Sequence, residues 1–80
     1  MGMQLEVNTM VVTKGNEERI GENLFKLEKA GYRIYPLDIE IELRKTKEGE
    51  TSGMVIPRKV VWENDVTLLT YELVSLNSSN

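Results

Sequence analysis

Apolar and polar residues alternate strictly through Ile39-Glu40-Ile41-Glu42-Leu43-Arg44, and a period of two marks a strand with one buried face. The same period runs through the start of the chain, where Met3, Leu5, Val7 and Val11 are interleaved with Gln4, Glu6 and Asn8. This predicts a strand from Met3 to Thr13, closed by Lys14-Gly15-Asn16. Tyr32 to Tyr35 reads as extended and stops at Pro36. Met54–Glu63 and Val66–Leu76 read as two strands joined by Asn64-Asp65, a dipeptide suited to a two-residue hairpin loop. The polar stretch 46–53 reads as a turn.

One segment shows a different period. Ile20, Leu24 and Leu27 are spaced four and three apart, one face of a helix. Asn16 is placed to cap it, Glu17 and Glu18 favour its positive end, and Glu22 and Lys26 form an i,i+4 pair. Gly31 follows where a left-handed terminating glycine belongs. These features predict a helix over about 17–30, with Gly21 costing it about 1 kcal/mol.

Residues opposite one another on paired strands share a face, so the two hairpins can be checked for consistency. A loop at Asn64-Asp65 sets Trp62 opposite Thr67, Val60 opposite Leu69, Arg58 opposite Tyr71 and Ile56 opposite Leu73. A loop with Thr46 opposite Gly53 sets Leu43 opposite Ile56, Ile41 opposite Arg58 and Ile39 opposite Val60. Both put Ile39, Ile41, Leu43, Ile56, Val60, Trp62, Leu69, Tyr71 and Leu73 inside, with Lys59 opposite Glu40 outside. Arg58 alone contradicts the pattern. Either a bulge at Pro57, which has no N–H to donate, turns Arg58 outward, or Arg58 stacks on Tyr71 and offers its guanidinium to an anion. The expected fold is α+β and mostly β, in the order β-α-β-β-β-β. One amphipathic helix packs on a small, partly open antiparallel barrel or bent sheet.

Eighty residues, 40% hydrophobic and 29% charged, suit one ordered domain with a modest core. No apolar run approaches the ~20 residues of a membrane span, and the first residues have neither the basic start nor the apolar run of a signal peptide. The cytosol is the expected compartment. The Asn77-Ser78-Ser79 sequon then reads as chance, and residues 77–80 as a frayed end. The chain contains no His and no Cys, which removes Cys/His zinc sites, Ser-His-Asp triads, Cys-His pairs and disulfides. The expectation is no enzyme and no cofactor.

The net charge of −3 is unevenly spread. Residues 44–59 carry +3, from Arg44, Lys45, Lys47, Arg58 and Lys59 against Glu48 and Glu50. These five cations, with Tyr71 as an aromatic neighbour, form the candidate binding site for an anion or a nucleic acid. Lysines at a hairpin tip also serve simply to discourage edge pairing, and the acidic whole disfavours general phosphate binding. Asp38, Glu40 and Glu42 suggest a hard cation, though alternating charge on a solvated strand face is the commoner reading. Lys14-Gly15-Asn16-Glu17 suggests an anion at a helix N-terminus but lacks the pattern of a phosphate loop.

The stretches Leu5–Val12, Tyr32–Ile39, Arg44–Glu50, Trp62-Glu63-Asn64 and Leu73–Ser78 resemble a family of small uncharacterised proteins from Bacillus-type bacteria. The resemblance covers the whole chain and brings no catalytic motif. In outline the expected fold is also similar to the RNA-binding PUA-like domains, an analogy of fold alone. The favoured function is a non-catalytic cytosolic binding or interaction module, with an unknown protein partner or self-association and no membrane. The alternative is an RNA-binding small barrel that uses the basic hairpin 44–59.

Overall fold

The long hairpin forms the spine of the protein. A computed structural model describes residues 5–46 and 48–76, and for residues 5 and 6 the backbone alone. Strands β7 (Thr51–Glu63) and β8 (Val66–Leu76) are joined by Asn64 and Asp65 at φ 51° and 64°, the two positive φ values of a type I′ turn. At about 3.3 Å per residue β7 spans about 43 Å, most of the 49 Å long axis. The other elements are β1 (Leu5–Val7), β2 (Met10–Val12), β3 (Glu18–Arg19), β4 (Leu24–Ala30), β5 (Tyr32–Ile34) and β6 (Ile41–Arg44). Six strands form one sheet in the order β2-β6-β7-β8-β4-β3, and β1 pairs with β5 separately. The β1–β5 and β2–β6 pairs are parallel and the rest antiparallel.

The expected helix over 17–30 does not form, and no described residue is helical. Its second half is β4, paired with β8 from Leu24 opposite Glu72 to Ala30 opposite Val66. Phe25 and Leu27 alternate with Lys26 and Glu28, so the segment also fits a period of two. Seven residues of ladder and a place beside Leu69 and Tyr71 outweigh local helical spacing. Of the supposed helical face only Leu27 is buried, while Ile20 and Leu24 are exposed. Gly31 takes the expected positive φ of 78°, but it ends a strand. Lys14-Gly15 is a tight turn with positive φ at both residues, closed by Asn16 N–H donating to the Thr13 carbonyl at 2.9 Å. The helix N-terminus proposed there as an anion site is therefore absent. The sheet is mixed and does not close into a barrel, so the PUA-like outline falls with the helix. The expected strand from Met3 to Thr13 is divided at Asn8 and Thr9.

Beyond the turn, the first hairpin has the expected register as far as Lys59. Trp62 lies opposite Thr67 and Val60 opposite Leu69; then Pro57, not Arg58, lies opposite Tyr71. Arg58 is the extra residue of a bulge. The second hairpin differs from expectation by three residues at Leu43, which lies opposite Gly53 and not Ile56. An odd shift exchanges faces, so Val55 is buried and Ile56 is not, and with Ile41 opposite Val55 the expected Lys59–Glu40 pair does not form. The loop is shorter than expected because Thr51 and Ser52 already belong to β7. Gly53 sits where a Cβ would fall 2.2 Å from the Ser75 carbonyl oxygen, so this crossing of strands requires glycine.

The core comprises Val11, Leu27, Tyr35, Ile41, Leu43, Val55, Leu69 and Tyr71, with Phe25, Val60 and Leu73 packed against it. Val11 from one edge strand and Leu27 from near the other share this cluster, so the sheet curves around it. Ile39 and Trp62, expected inside, are exposed. The Thr67 side chain, fully buried, donates its hydroxyl to the Gly31 carbonyl at 2.8 Å and accepts from Arg33 N–H at 2.9 Å. This one hydroxyl fixes the corner where β4 turns into β5. Thr67→Val keeps the shape and orphans two backbone groups, so it should cost about 1–3 kcal/mol in urea unfolding. Thr70→Val, on the opposite face, should stay within about 0.5 kcal/mol of the parent.

Candidate functional site

The basic hairpin residues do not converge. Arg44 lies opposite Thr51, and Lys59 is eight residues further along β7, about 26 Å at 3.3 Å per residue. Arg44 donates through Nη2 to Glu42 Oε1 at 2.9 Å, an oxygen that also accepts from the Thr51 hydroxyl. Arg58 donates through Nη2 to Glu72 Oε1 and through Nη1 to Asp38 Oδ1, each at 2.8 Å. Lys45 and Lys59 are exposed, and Lys47 lies outside the described residues. Tyr71 faces the core, with its ring 5.6 Å from Phe25 and stacked at 13°, and makes no stack with Arg58. Burial, with the Glu17 carboxylate behind it, holds the Tyr71 phenol far above its ordinary range.

Two of the three candidate carboxylates are likewise committed, and Glu40 is exposed. Asp38 and Glu42 are bound to arginines, and among the described residues no three or more His, Cys, Asp and Glu side chains cluster so as to hold a metal ion. The Thr51 hydroxyl, then the Arg44 hydrogen bond, lowers the pKa of Glu42 below its ordinary value. Arg58 is held charged by Asp38 and then by Glu72.

Arg58 nevertheless organises a site. Asp38, at a positive φ of 61°, donates its N–H to the Pro57 carbonyl at 2.8 Å while its carboxylate holds Arg58. Backbone and side chain thus pin the loop after β5 onto the bulge. The neighbouring Leu37 becomes one wall of an open hollow of 360 Å³ that Ile34, Tyr35, Val60 and Trp62 complete. Trp62 and Leu37 remain 44% and 47% exposed. The Trp62 indole N–H donates to the Arg33 carbonyl at 2.8 Å, and Tyr32 meets the ring edge-on at 6.3 Å. Tyr32 in turn accepts from the Asp65 N–H at 3.1 Å. The indole is therefore fixed in orientation with its polar atom already satisfied, and it presents apolar surface. The alternation assigned Trp62 to the interior. Its place two residues from the turn, where a strand outruns its cover, was the signal for exposure.

Comparison with known proteins places the chain. The sequence profile described as a domain of unknown function, DUF2584, matches residues 1–80. The chain belongs to this family. The uncharacterized protein YtmB of Bacillus subtilis (strain 168) is 55% identical over 80 residues, covering all of both chains. The crystal structure of ytmB from Bacillus subtilis superposes with a TM-score of 0.94 at 54% identity, covering 100% of this chain and 99% of the other. The expected kinship with small bacterial proteins holds. Among the described residues no helix is long and apolar enough to cross a membrane, which leaves strand-built spans unaddressed.

The Glu42 contacts give a pH test. A carboxyl whose pKa is lowered by folding adds stability above its unfolded pKa and loses it as pH falls through the folded value. The stability difference between the parent protein and Glu42→Gln, followed by urea unfolding across a pH series, should therefore shrink on acidification through the carboxylate range. A difference that persists unchanged at low pH would contradict this role.

Proposed function

We propose that this protein is a non-catalytic binding module that seats an apolar side chain of a polypeptide partner in the hollow beside Trp62. The observation that carries this reading is the rigidly held, half-exposed indole on the wall of a preformed apolar hollow. Large aromatics in such pockets dominate binding energy at protein interfaces. A volume of 360 Å³ is at the small end for ligand pockets and suits one side chain better than an elaborate cofactor. Leu37 adds a second exposed apolar wall, and burying both on binding is favourable at about 25 cal/mol per Å². A polypeptide suits this surface better than RNA does, because Arg44 and Arg58 already spend their charge on Glu42, Asp38 and Glu72.

Trp62 is the chain's one tryptophan, so its emission reports the site directly. Hexapeptides carrying a single Phe or Leu in a Gly/Ser background should shift that emission to the blue as the indole loses water. Leu37→Arg, which puts a charged side chain on the exposed wall of the hollow, should weaken the response at least tenfold while circular dichroism stays that of the parent protein. No response at millimolar peptide, or an unchanged response in Leu37→Arg, would overturn the reading.

A further inference from the structure

The end of the sheet remote from the Asn64-Asp65 turn holds a second hollow. On β7, Ser52 lies ten residues before Trp62, about 33 Å at about 3.3 Å per residue, and Leu76 ends β8 beside it. The sheet curls here. Thr13, just after β2, and Glu17, just before β3, line the same hollow, although β2 and β3 are the two opposite edges of the sheet. The strands between those edges supply Leu43, Ser52, Tyr71 and Phe25 to it, and the enclosed volume is 190 Å³.

The walls are mostly apolar, from Phe25, Leu43, Leu73 and Leu76. Two hydroxyls among them are buried without a partner. Tyr71 is 2% exposed and Thr13 is 3% exposed, and neither side chain hydrogen-bonds to another described residue. The Thr13 backbone is satisfied, its N–H by the Arg44 carbonyl and its carbonyl by the Asn16 N–H, so its hydroxyl alone is left. The charge that acts on the Tyr71 hydroxyl is the Glu17 carboxylate, itself on the rim of the hollow. Buried polar groups nearly always have partners, and an apolar hollow with a few convergent polar groups is the ordinary form of a small-molecule site. The rim carries one charge of each sign. Glu17 and Lys45 are exposed, and neither forms an ion pair with another described residue.

We propose that this hollow binds a free amino acid with an apolar side chain. The side chain enters among Phe25, Leu43 and Leu73, the ammonium meets Glu17, and the carboxylate meets Lys45. The hydroxyls of Tyr71 and Thr13 each donate or accept as required and complete the hydrogen bonding of the head group. A volume of 190 Å³ is slightly larger than the apolar cavity of about 150 Å³ that takes benzene, which suits one branched or aromatic side chain with its head group at the rim. A simple carboxylic acid would set its charge against Glu17, and a simple amine would set its charge against Lys45. A zwitterion satisfies both. The site shares no residue with the Trp62 hollow, so each can fail without the other.

The test titrates L-leucine into the full chain and follows it by NMR. Methyl resonances of Leu43 and Leu73 and ring resonances of Phe25 and Tyr71 should shift together, while Trp62 emission stays unchanged. Isocaproate, which lacks the ammonium, and isopentylamine, which lacks the carboxylate, should each bind at least tenfold more weakly. Glu17→Gln and Lys45→Gln, at exposed positions, should each weaken leucine binding at least tenfold without altering circular dichroism. Tyr71→Phe, which keeps the ring against Phe25 and removes the hydroxyl, should weaken it severalfold. Absence of those shifts at millimolar leucine would overturn the proposal. Equal binding by isocaproate and isopentylamine, or leucine binding that survives unchanged in both Glu17→Gln and Lys45→Gln, would overturn it in favour of a merely apolar cavity. A leucine response confined to Trp62 emission would overturn it in favour of the other hollow.

Discussion

Pro57 stands in the middle of the longest strand with no N–H to give to the ladder, and much of the structure follows from how that is accommodated. The strand gains one residue, Arg58, between the pairs Pro57–Tyr71 and Lys59–Thr70. The extra residue resets the alternation. Before it, Gly53, Val55 and Pro57 face the core; after it, Val60 does, and Trp62 lies on the same side beyond the core's edge. Without that reset a thirteen-residue strand would turn half of its apolar residues to the wrong side. The bulge also leaves the Pro57 carbonyl to accept from Asp38 and sends Arg58 outward to hold the Asp38 carboxylate, so the loop carrying Leu37 is fixed by the same irregularity.

The charge pattern takes on a different meaning once the strands are paired. Residues 44–59 concentrate basic charge along the chain, yet in space the two arginines are absorbed by Glu42, Asp38 and Glu72, residues that the sequence sets among acidic neighbours. Exposed pairs of this kind contribute little to stability, typically up to about 1 kcal/mol each. Their effect here is to position the backbone. Meanwhile Lys14, Lys29 and Arg33, scattered through segments of near-neutral or negative sum, gather around one cleft. Linear charge density was a poor guide to local potential because the sheet order places distant segments side by side.

The strands with clean alternation and a defined turn were legible from the residues alone: β6, β7 and β8, and the Asn64-Asp65 hairpin with its register up to the bulge. Pro57 even announced the site of the irregularity. The second hairpin was less legible, since the stretch 46–53 offers several loop lengths, and a slip of three residues misassigned Ile56 and concealed the buried place of Gly53. The segment 17–30 failed for a deeper reason. Leu24-Phe25-Lys26-Leu27 satisfies both periods, and the choice is made by β8, some 48 residues away at the Leu24–Glu72 pair. Nothing local carries that information. The Trp62 hollow was hidden for a related reason, because its walls come from β5, the loop after it and β7.

The central position of β8 has a consequence for the order of events during synthesis. It comes last in order among the described strands, yet β4 and β7 both bond to it, and the Thr67 hydroxyl that fixes the corner into β5 also lies on it. A nascent chain leaving the ribosome can pair β2 with β6, and later β6 with β7, while β4 has only the two residues of β3 beside it. Val66, the first residue of β8 to meet β4, lies 36 residues after its partner Ala30, so the middle of the sheet closes late, around a hairpin with a two-residue turn.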